Sequence, residues 1–417
     1  MNIENSPRES QNLVRSARQG ALELAKSKAS DRRGAIEAMA LAIQRHQNEI
    51  LEANTLDLEA SRLAEATEPM VDWLKLTPDR LESTVEILQH LARLPEPVGQ
   101  IISYAEGSEN GSVYSQRIPL GAIALIYEAF PELAAIAAGM CLKTANSLLL
   151  LGVSGATHSN LAIARALKSA LDEAGLALEC VELLPLSGEN SIRDLVTQDL
   201  HLSLVIPYGR PSLVREVTAR ATVPVLRTAI GNCYLYWSAS GSLETARSMI
   251  LESHKNQPDA VNAIEKVLID PNQKSSSLAR LWNLLKEKGF EIRVDEALNQ
   301  EFPDFHQADT LEWSQPYLTK TVAFKVVENL DTAIAWINCY SSGHADCLAT
   351  ESYQESRQFA LEINSASTFI NESPRFHRYR HPRDSIFLGM SNQKIYPRGA
   401  ISLEALTTIK QIFLGDN

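Results

Sequence analysis

The candidate nucleophiles are few and scattered. The chain carries five cysteines, Cys141, Cys180, Cys233, Cys339 and Cys347. No two share the C-x-x-C spacing of a redox motif or zinc ribbon, and the odd number leaves a disulfide framework incomplete. Each reads as a small buried or surface thiol in a reducing compartment. A second group, Ser253-His254-Lys255, opens the stretch SHKNQPDAVNAIEKVLI and reads as an exposed helix end. A third is RFHRYRHPRD, Arg375 to Asp384, where basic residues alternate with aromatics. It reads as a solvated loop, with binding of an anion, a partner or a metal as the chemical alternative.

These groups sit on a chain that alternates helices and strands. Residues 8–96 show long helical periodicity, and Thr77-Pro78 supplies an N-cap followed by a first-turn proline for a helix over 78–93. Between Val98 and Pro119 the pattern turns to short strands around Glu109-Asn110-Gly111, a two-residue hairpin signal. From Gly121 apolar strands alternate with helices: GAIALIY, a helix over 131–142, SLLLLG, a helix near 159–174, ALECVELL, LSLVIP, a helix near 211–220, and VPVLR. A second such block starts at Asn232 with CYLYW, a helix near 242–254, VLIDP, a helix near 275–288, and FEIRV. Repeated β-α-β predicts parallel sheets with helices on both faces, in two doubly wound α/β domains that meet around Thr228 to Gly231.

Length and charge set the bounds. With 417 residues there is enough chain for two domains with separate cores. Hydrophobic residues make up 45% and charged residues 22%, a globular balance. A formal net charge of -12 opposes a nucleic-acid backbone or an anionic membrane as partner. The N-terminus lacks the apolar core of a signal peptide, which fits the cytoplasm. The most apolar region is broken by Glu128, Pro131, Glu132 and Lys143, so it predicts no membrane span.

Several runs carry a family resemblance. SQRIPLGAIALIYEAFPELAAIAAGMCLKTANSLLLL, ILEANTLDLEASRLAEAT, LKLTPDRLESTVEILQHLARLPEPVGQI, the region Pro224 to Tyr236, and NQKIYPRGAISLEALTT resemble gamma-glutamyl phosphate reductase, a member of the aldehyde dehydrogenase superfamily. The resemblance covers nearly the whole chain. It implies an aldehyde dehydrogenase-like fold with residues 1–228 as N-terminal helices and cofactor domain and 229–385 as a catalytic-type domain. Residues 386–417 would be a return segment, and a protruding β-ribbon at about 100–117 would serve oligomerisation. It also implies a homodimer of L-proline biosynthesis that reduces L-glutamate 5-phosphate with NADPH, releasing phosphate and L-glutamate 5-semialdehyde. In that reaction a cysteine thiolate attacks the acyl phosphate and hydride reduces the resulting thioester.

The departures from the family pattern fall at its chemical positions. The family's T-Q-R-P-S-T-C-N-T-x-E loop maps onto Lys255 to Glu265, and Pro258, Asn262 and Glu265 agree. Val261 occupies the nucleophile position, with Asn262 beside it, and valine cannot form a thioacyl intermediate. Y-E-A-R-P-N becomes Tyr127-Glu128-Ala129-Phe130-Pro131-Glu132, which loses an arginine and an amide suited to acyl phosphate. Glycine-bearing turns that approach the cofactor in the family read Leu151-Gly152-Val153-Ser154, Pro207-Tyr208-Gly209-Arg210 and Arg227-Thr228-Ala229-Ile230-Gly231.

The resemblance therefore gives no catalytic residue. It gives Lys143, Asn146, Gly152 and Gly209 as cofactor contacts, and no metal ligand. Lys143 equally suits the C-terminal carbonyls of the preceding helix. The implied reading is a pseudoenzyme that acts by binding or assembly, with the glutamate 5-kinase or an intact reductase copy as partner. The alternative is an active reductase that uses a non-thiol route.

Overall fold

A computed structural model describes residues 6–106, 112–152, 155–185, 191–255, 260–380 and 385–415. Chain contacts divide them into two compact units. One comprises 1–228, 378–388 and 400–417, the other 229–377 and 389–399. The C-terminal stretch is thus shared between both units.

The first unit opens with five helices: α1 (Ser6–Lys26), α2 (Ala29–Arg45), α3 (Gln47–Leu63), α4 (Glu68–Leu74) and α5 (Pro78–Arg93). In α5 the Thr77 side chain accepts from Arg80 N–H at 3.2 Å, and Pro78 occupies the first turn where its missing N–H costs nothing. The buried residues Leu81, Val85, Leu88 and Leu91 lie three or four apart, which makes one apolar stripe. Two antiparallel strands follow, β1 (Ile101–Glu106) and β2 (Ser112–Pro119). The Asn110-Gly111 turn lies outside the described residues.

The α/β core of this unit runs β3 (Ala122–Tyr127), α6 (Leu133–Lys143), β4 (Ser147–Gly152), α7 (Thr157–Glu173), β5 (Val181–Leu183), α8 (Ser191–Val196), β6 (Leu204–Tyr208) and α9 (Pro211–Arg220). Its parallel strands order as β5-β4-β3-β6. Every residue of β3 and β4 is buried, as a strand covered on both faces requires. Chain order reverses across β3, so the C-terminal ends of β3 and β6 flank the crevice where open α/β sheets hold ligands. VPVLR is not a strand. It contributes one isolated bridge, Val225 to Val205, because Pro224 removes a ladder donor.

The second unit is built on seven parallel strands. They are β7 (Cys233–Trp237), β8 (Ile264–Ile269), β9 (Glu291–Val294), β10 (His306–Gln307), β11 (Thr321–Val326), β12 (Ala345–Ala349) and β13 (Ser367–Ile370). The sheet order is β10-β9-β11-β8-β7-β12-β13. Alternation sorts β7 onto two cores. Leu235 and Trp237 pack with Met249 and Ile250 of α10 (Leu243–Ser253) and Leu281 and Trp282 of α11 (Ser275–Glu287). Tyr234 and Tyr236 pack with Ala333, Ile334 and Ile337 of α13 (Leu330–Tyr340) and Phe359 of α14 (Tyr353–Glu362). Between them lies the short helix α12 (Glu296–Glu301). The last strand, β14 (Thr407–Leu414), belongs to the first unit and pairs antiparallel with β2.

Candidate functional site

The loop that carries residue 261 runs from the end of α10 to the start of β8. Ser253 and His254 pin its two ends together, and neither is the exposed helix end the sequence predicts. Ser253 is buried, donates its hydroxyl to Ile250 O at 2.7 Å, and accepts Ile264 N–H at 3.1 Å. His254 is buried too, with Nε2 at 3.0 Å from Ile264 O. A carbonyl only accepts, so Nε2 carries the proton. Burial lowers the His254 pKa to about 4, and the ring meets Phe290 edge-on. Only Lys255 is exposed, paired with Glu252. Asn256, Gln257, Pro258 and Asp259 lie outside the described residues.

Val261 is buried, at 1% exposure. Its carbonyl accepts two donors, Gly231 N–H at 2.9 Å and His344 Nε2 at 2.9 Å. Asn262 donates through Nδ2 to Pro374 O at 2.8 Å, while its Oδ1 is buried and has no partner among the described residues. Glu265 is fully buried and accepts three backbone N–H groups, from Asn232 (2.7 Å), Tyr317 (2.9 Å) and Leu318 (2.8 Å). The loop therefore leaves α10 and enters β8 on a dense hydrogen-bond frame.

The same frame decides what the nearest thiol can do. Cys233 is fully buried, with Sγ at 3.4 Å from His344 Nε2 and 3.9 Å from Gly231 O. Because Nε2 gives its proton to the Val261 carbonyl, it has no lone pair for the thiol. His344 Nδ1 faces the Ser342 hydroxyl at 2.9 Å. Burial pushes the Cys233 thiol well above its ordinary pKa, and the Asp346 carboxylate adds to the shift. A thiol becomes nucleophilic as thiolate, so this environment suppresses Cys233. Cys141, Cys180 and Cys347 are likewise buried with raised pKa values, and Cys339 is exposed on α13.

In the first unit, the altered residues at the β3 and β6 ends make contacts with each other. Arg210 binds the buried Glu128 carboxylate through its backbone N–H and Nε, both at 3.0 Å, and through Nη2. Phe130 is fully buried, stacks on Trp73 at 4.9 Å and meets Tyr208 edge-on at 5.9 Å. Ala129 and Phe130 hold left-handed φ angles of 62° and 49°. Arg80 pairs with Glu132, its Nε at 3.0 Å, so the carboxylate that replaces an amide has its own cation. Arg378 donates to the Tyr208 hydroxyl at 3.0 Å, which gives one residue of the basic aromatic segment an internal role. His381 to Asp384 lie outside the described residues.

The four predicted cofactor contacts fall on the same half of the chain. Lys143 is buried, donates Nζ to Ala92 O at 3.2 Å, and has a pKa lowered by burial. Asn146 is fully buried. Its side chain accepts Gly121 N–H at 2.9 Å and donates to Thr144 Oγ1 and Leu406 O at 2.8 and 2.7 Å. At Gly209, φ is 153° and a Cβ would come within 2.7 Å of Glu128 Cβ, so only glycine fits. A Cβ on Gly152 would meet Asn160 Nδ2 at 2.1 Å and Tyr127 Cζ at 3.6 Å. The Tyr127 hydroxyl and Asn160 Oδ1 are buried without partners among the described residues. Val153 and Ser154 lie outside them.

Among the described residues, no three His, Cys, Asp or Glu side chains group as metal ligands, and no helix is long and apolar enough to cross a membrane.

No protein-family model matches the chain. Gamma-glutamyl phosphate reductase 2 of Synechocystis sp. is 49% identical over 406 residues, covering 97% of each chain. Gamma-glutamyl phosphate reductase of Gloeobacter violaceus is 38% identical over 400 residues, covering 96% of this chain and 95% of that one. The chain belongs to the gamma-glutamyl phosphate reductase family. The crystal structure of the Thermotoga maritima reductase agrees, with a TM-score of 0.88, 32% identity and 99% coverage of both chains. A glyceraldehyde-3-phosphate dehydrogenase from Methanocaldococcus jannaschii, solved with NADP, shares the aldehyde dehydrogenase-like fold at 15% identity and a TM-score of 0.71.

Within this reductase-family fold, sequence reading misses Ser342, His344 and Asp346. No strand period marks them, since Ser342 and His344 lie in the bend before β12, where Gly343 has a φ of 71°, and only Asp346 is in the strand. Asp346 is fully buried and accepts Tyr234 N–H at 2.8 Å along with the Ser341 and Ser365 hydroxyls.

Proposed function

We propose that this reductase-family chain serves L-proline biosynthesis by binding and assembly, and does not run the thioester reaction. The family reaction reduces L-glutamate 5-phosphate with NADPH to L-glutamate 5-semialdehyde and phosphate. One observation carries the reading: residue 261, aligned with the family's nucleophile, is a buried valine. No substitute thiol is activated, since Cys233 is buried with a raised pKa and faces an imidazole N–H. Carbon has no lone pair with which to open the acyl phosphate, so the covalent step has no starting group.

NADPH is the cofactor of the family reaction, and the first unit offers a place for it. The residues that fit are Tyr127, Gly152 and Asn160. Two buried polar atoms lack partners among the described residues there, and glycine at 152 leaves room for the Asn160 amide against the β4 end. Bound NADPH supplies hydride. The residues of this chain contribute the Tyr127 phenol, held protonated by burial and by the nearby Glu132 carboxylate, and the Asn160 amide oxygen as acceptor. Lys143 and Asn146 lie at the opposite, N-terminal end of β4, where their polar atoms bond the framework.

A homodimer through the β1-β2-β14 ribbon is supported by its exposed Ile101, Tyr104 and Phe413. The Synechocystis relative bears the number 2 in its name, which fits a chain that works beside an intact reductase copy. The glutamate 5-kinase that makes the labile acyl phosphate is the other natural partner. The test is NADP-dependent oxidation of L-glutamate 5-semialdehyde with phosphate, using a cysteine-bearing reductase as positive control. Neither the unmodified protein nor Val261→Cys should turn over, because Phe130 and Glu132 persist. Turnover by the unmodified protein overturns the reading.

A further inference from the structure

The Val261 carbonyl accepts two hydrogen bonds, and the second has an unusual donor. Gly231 N–H supplies one from the backbone, and His344 Nε2 supplies the other at 2.9 Å. An imidazole is amphoteric, so it can donate there only if the proton sits on Nε2 and stays off Nδ1. Ser342 is the partner of the other ring nitrogen. Its hydroxyl lies 2.9 Å from Nδ1 and 2.9 Å from Gly231 O. Gly231 O has a second donor in the Cys233 thiol, at 3.9 Å. Of the two neutral tautomers, the one with Nε2–H gives the Val261 carbonyl its second donor, while the single Ser342 proton is shared among Gly231 O, Asn232 O at 3.2 Å and Nδ1. Any tautomer with the proton on Nδ1 sets a bare Nε2 against a carbonyl oxygen.

We propose that His344 is a positioning residue for the loop of residues 260–265. Its Nε2–H fixes the carbonyl of residue 261 and hence the backbone from which the family presents its attacking atom. This rests on the reading of that loop as the ligand-facing segment of a reductase-family site.

Side-chain economy argues that the imidazole is there for the hydrogen bond. His344 is fully buried, and an apolar residue would avoid the cost of desolvating two ring nitrogens. That cost is offset only if both nitrogens are bonded, and both are. The clamp also holds over the physiological pH range, because burial lowers the His344 pKa to about 4 and keeps the ring neutral. Adjacent polar groups do different work: Asp346 holds the β7 backbone through Tyr234 N–H, and Asn392 donates to Ser342 O at 2.8 Å. Among the described side chains, only His344 bonds the backbone of residue 261.

Geometry gives a sharp test. The amide nitrogen of glutamine falls near the position of a histidine Nε2, and that of asparagine near Nδ1. His344→Gln therefore keeps the donor to the loop, and His344→Asn keeps only the group facing Ser342. Amide hydrogen exchange by mass spectrometry is read on peptides spanning 229–233, 260–266 and, as an internal reference, 321–326. For His344→Asn and His344→Phe, exchange in the first two peptides should rise at least tenfold with the third unchanged, whereas His344→Gln should stay within threefold of the parent. A long-range 1H–15N spectrum should show the His344 ring protonated on Nε2 from pH 8 down to pH 5. Equal protection by asparagine and glutamine, no change for phenylalanine, a uniform rise over all three peptides, or a proton on Nδ1 each overturns the proposal. Exchange is read without substrate, so turnover by the unmodified protein would refute the functional reading and leave this one standing.

Discussion

The β3 and β6 ends of the first unit and the 254–265 loop of the second depart from their family pattern in opposite ways. At the strand ends, new side chains have brought new partners: Phe130 stacks on Trp73, Arg210 holds Glu128, and Arg80 holds Glu132. At the loop, Pro258, Asn262 and Glu265 keep the family residues, and the backbone carries the structure: Glu265 gathers three N–H groups, Asn262 anchors on Pro374, and His344 clamps residue 261. One region is held by contacts between side chains, the other by hydrogen bonds to its backbone. On the proposed reading, a thiol at position 261 alone does not restore turnover, because the strand ends are built differently from the loop.

The largest effect should come from the loop frame. Glu265→Leu strands three buried N–H donors at about 1–3 kcal/mol each, so the urea midpoint should fall steeply. A loss under about 2 kcal/mol in total would show the frame to be softer than its hydrogen bonds imply. Phe130→Ala tests the strand-end contacts, where emptying an aromatic site costs about 3–5 kcal/mol. A smaller loss, read by the same unfolding curve, would mean that Trp73 and Tyr208 close over the gap.

Acid should act next, chiefly on the second unit. His254 and His344 have folded pKa values near 4, below the ordinary 6.5. The unfolded chain then takes up protons that the folded chain refuses, so their stabilisation is complete above pH 6.5 and is lost as pH falls toward 4. Asp346 runs the other way. Burial raises it from 3.8 to about 6, so the folded state gains a proton first and this group adds stability as pH falls from 6 to 3.8. Glu265 is raised by burial as well and acts with Asp346. Two histidines thus oppose two carboxylates, and a lower urea midpoint at pH 5 than at pH 7.5 is expected with the histidines dominant.

Arg210→Gly restores the family residue and should cost only about 1–2 kcal/mol, since Arg210 is half-exposed and its backbone N–H still serves Glu128. Val261→Cys should be nearly neutral, within about 1 kcal/mol, because the two side chains are close in volume. A large cost for the cysteine would show that side-chain packing holds the loop as well.

Much of this was legible in the sequence, and the reason differs from residue to residue. Thr77-Pro78 announced α5 because a cap and a first-turn proline act locally. The buried strands announced themselves because sheets covered on both faces need continuous apolar runs. What stayed hidden depends on residues far apart in the chain. Nothing near Glu132 indicates Arg80, and nothing near Glu128 indicates Arg210. Ser253 and His254 looked exposed since they end a helix, yet both turn inward to bond β8. The role of His344 needed the Val261 carbonyl, which only the fold brings within 2.9 Å. The valine at position 261 was legible from the family pattern, but the state of Cys233 beneath it was not.

Intact-mass analysis tests the central claim most directly. The unmodified protein is incubated with L-glutamate 5-semialdehyde and NADP and without phosphate, so that any thioacyl intermediate accumulates, then denatured and weighed. The account predicts no covalent glutamyl adduct, while a cysteine-bearing reductase handled in parallel gains one. An adduct on this chain, mapped by peptide analysis to Cys233, would contradict it.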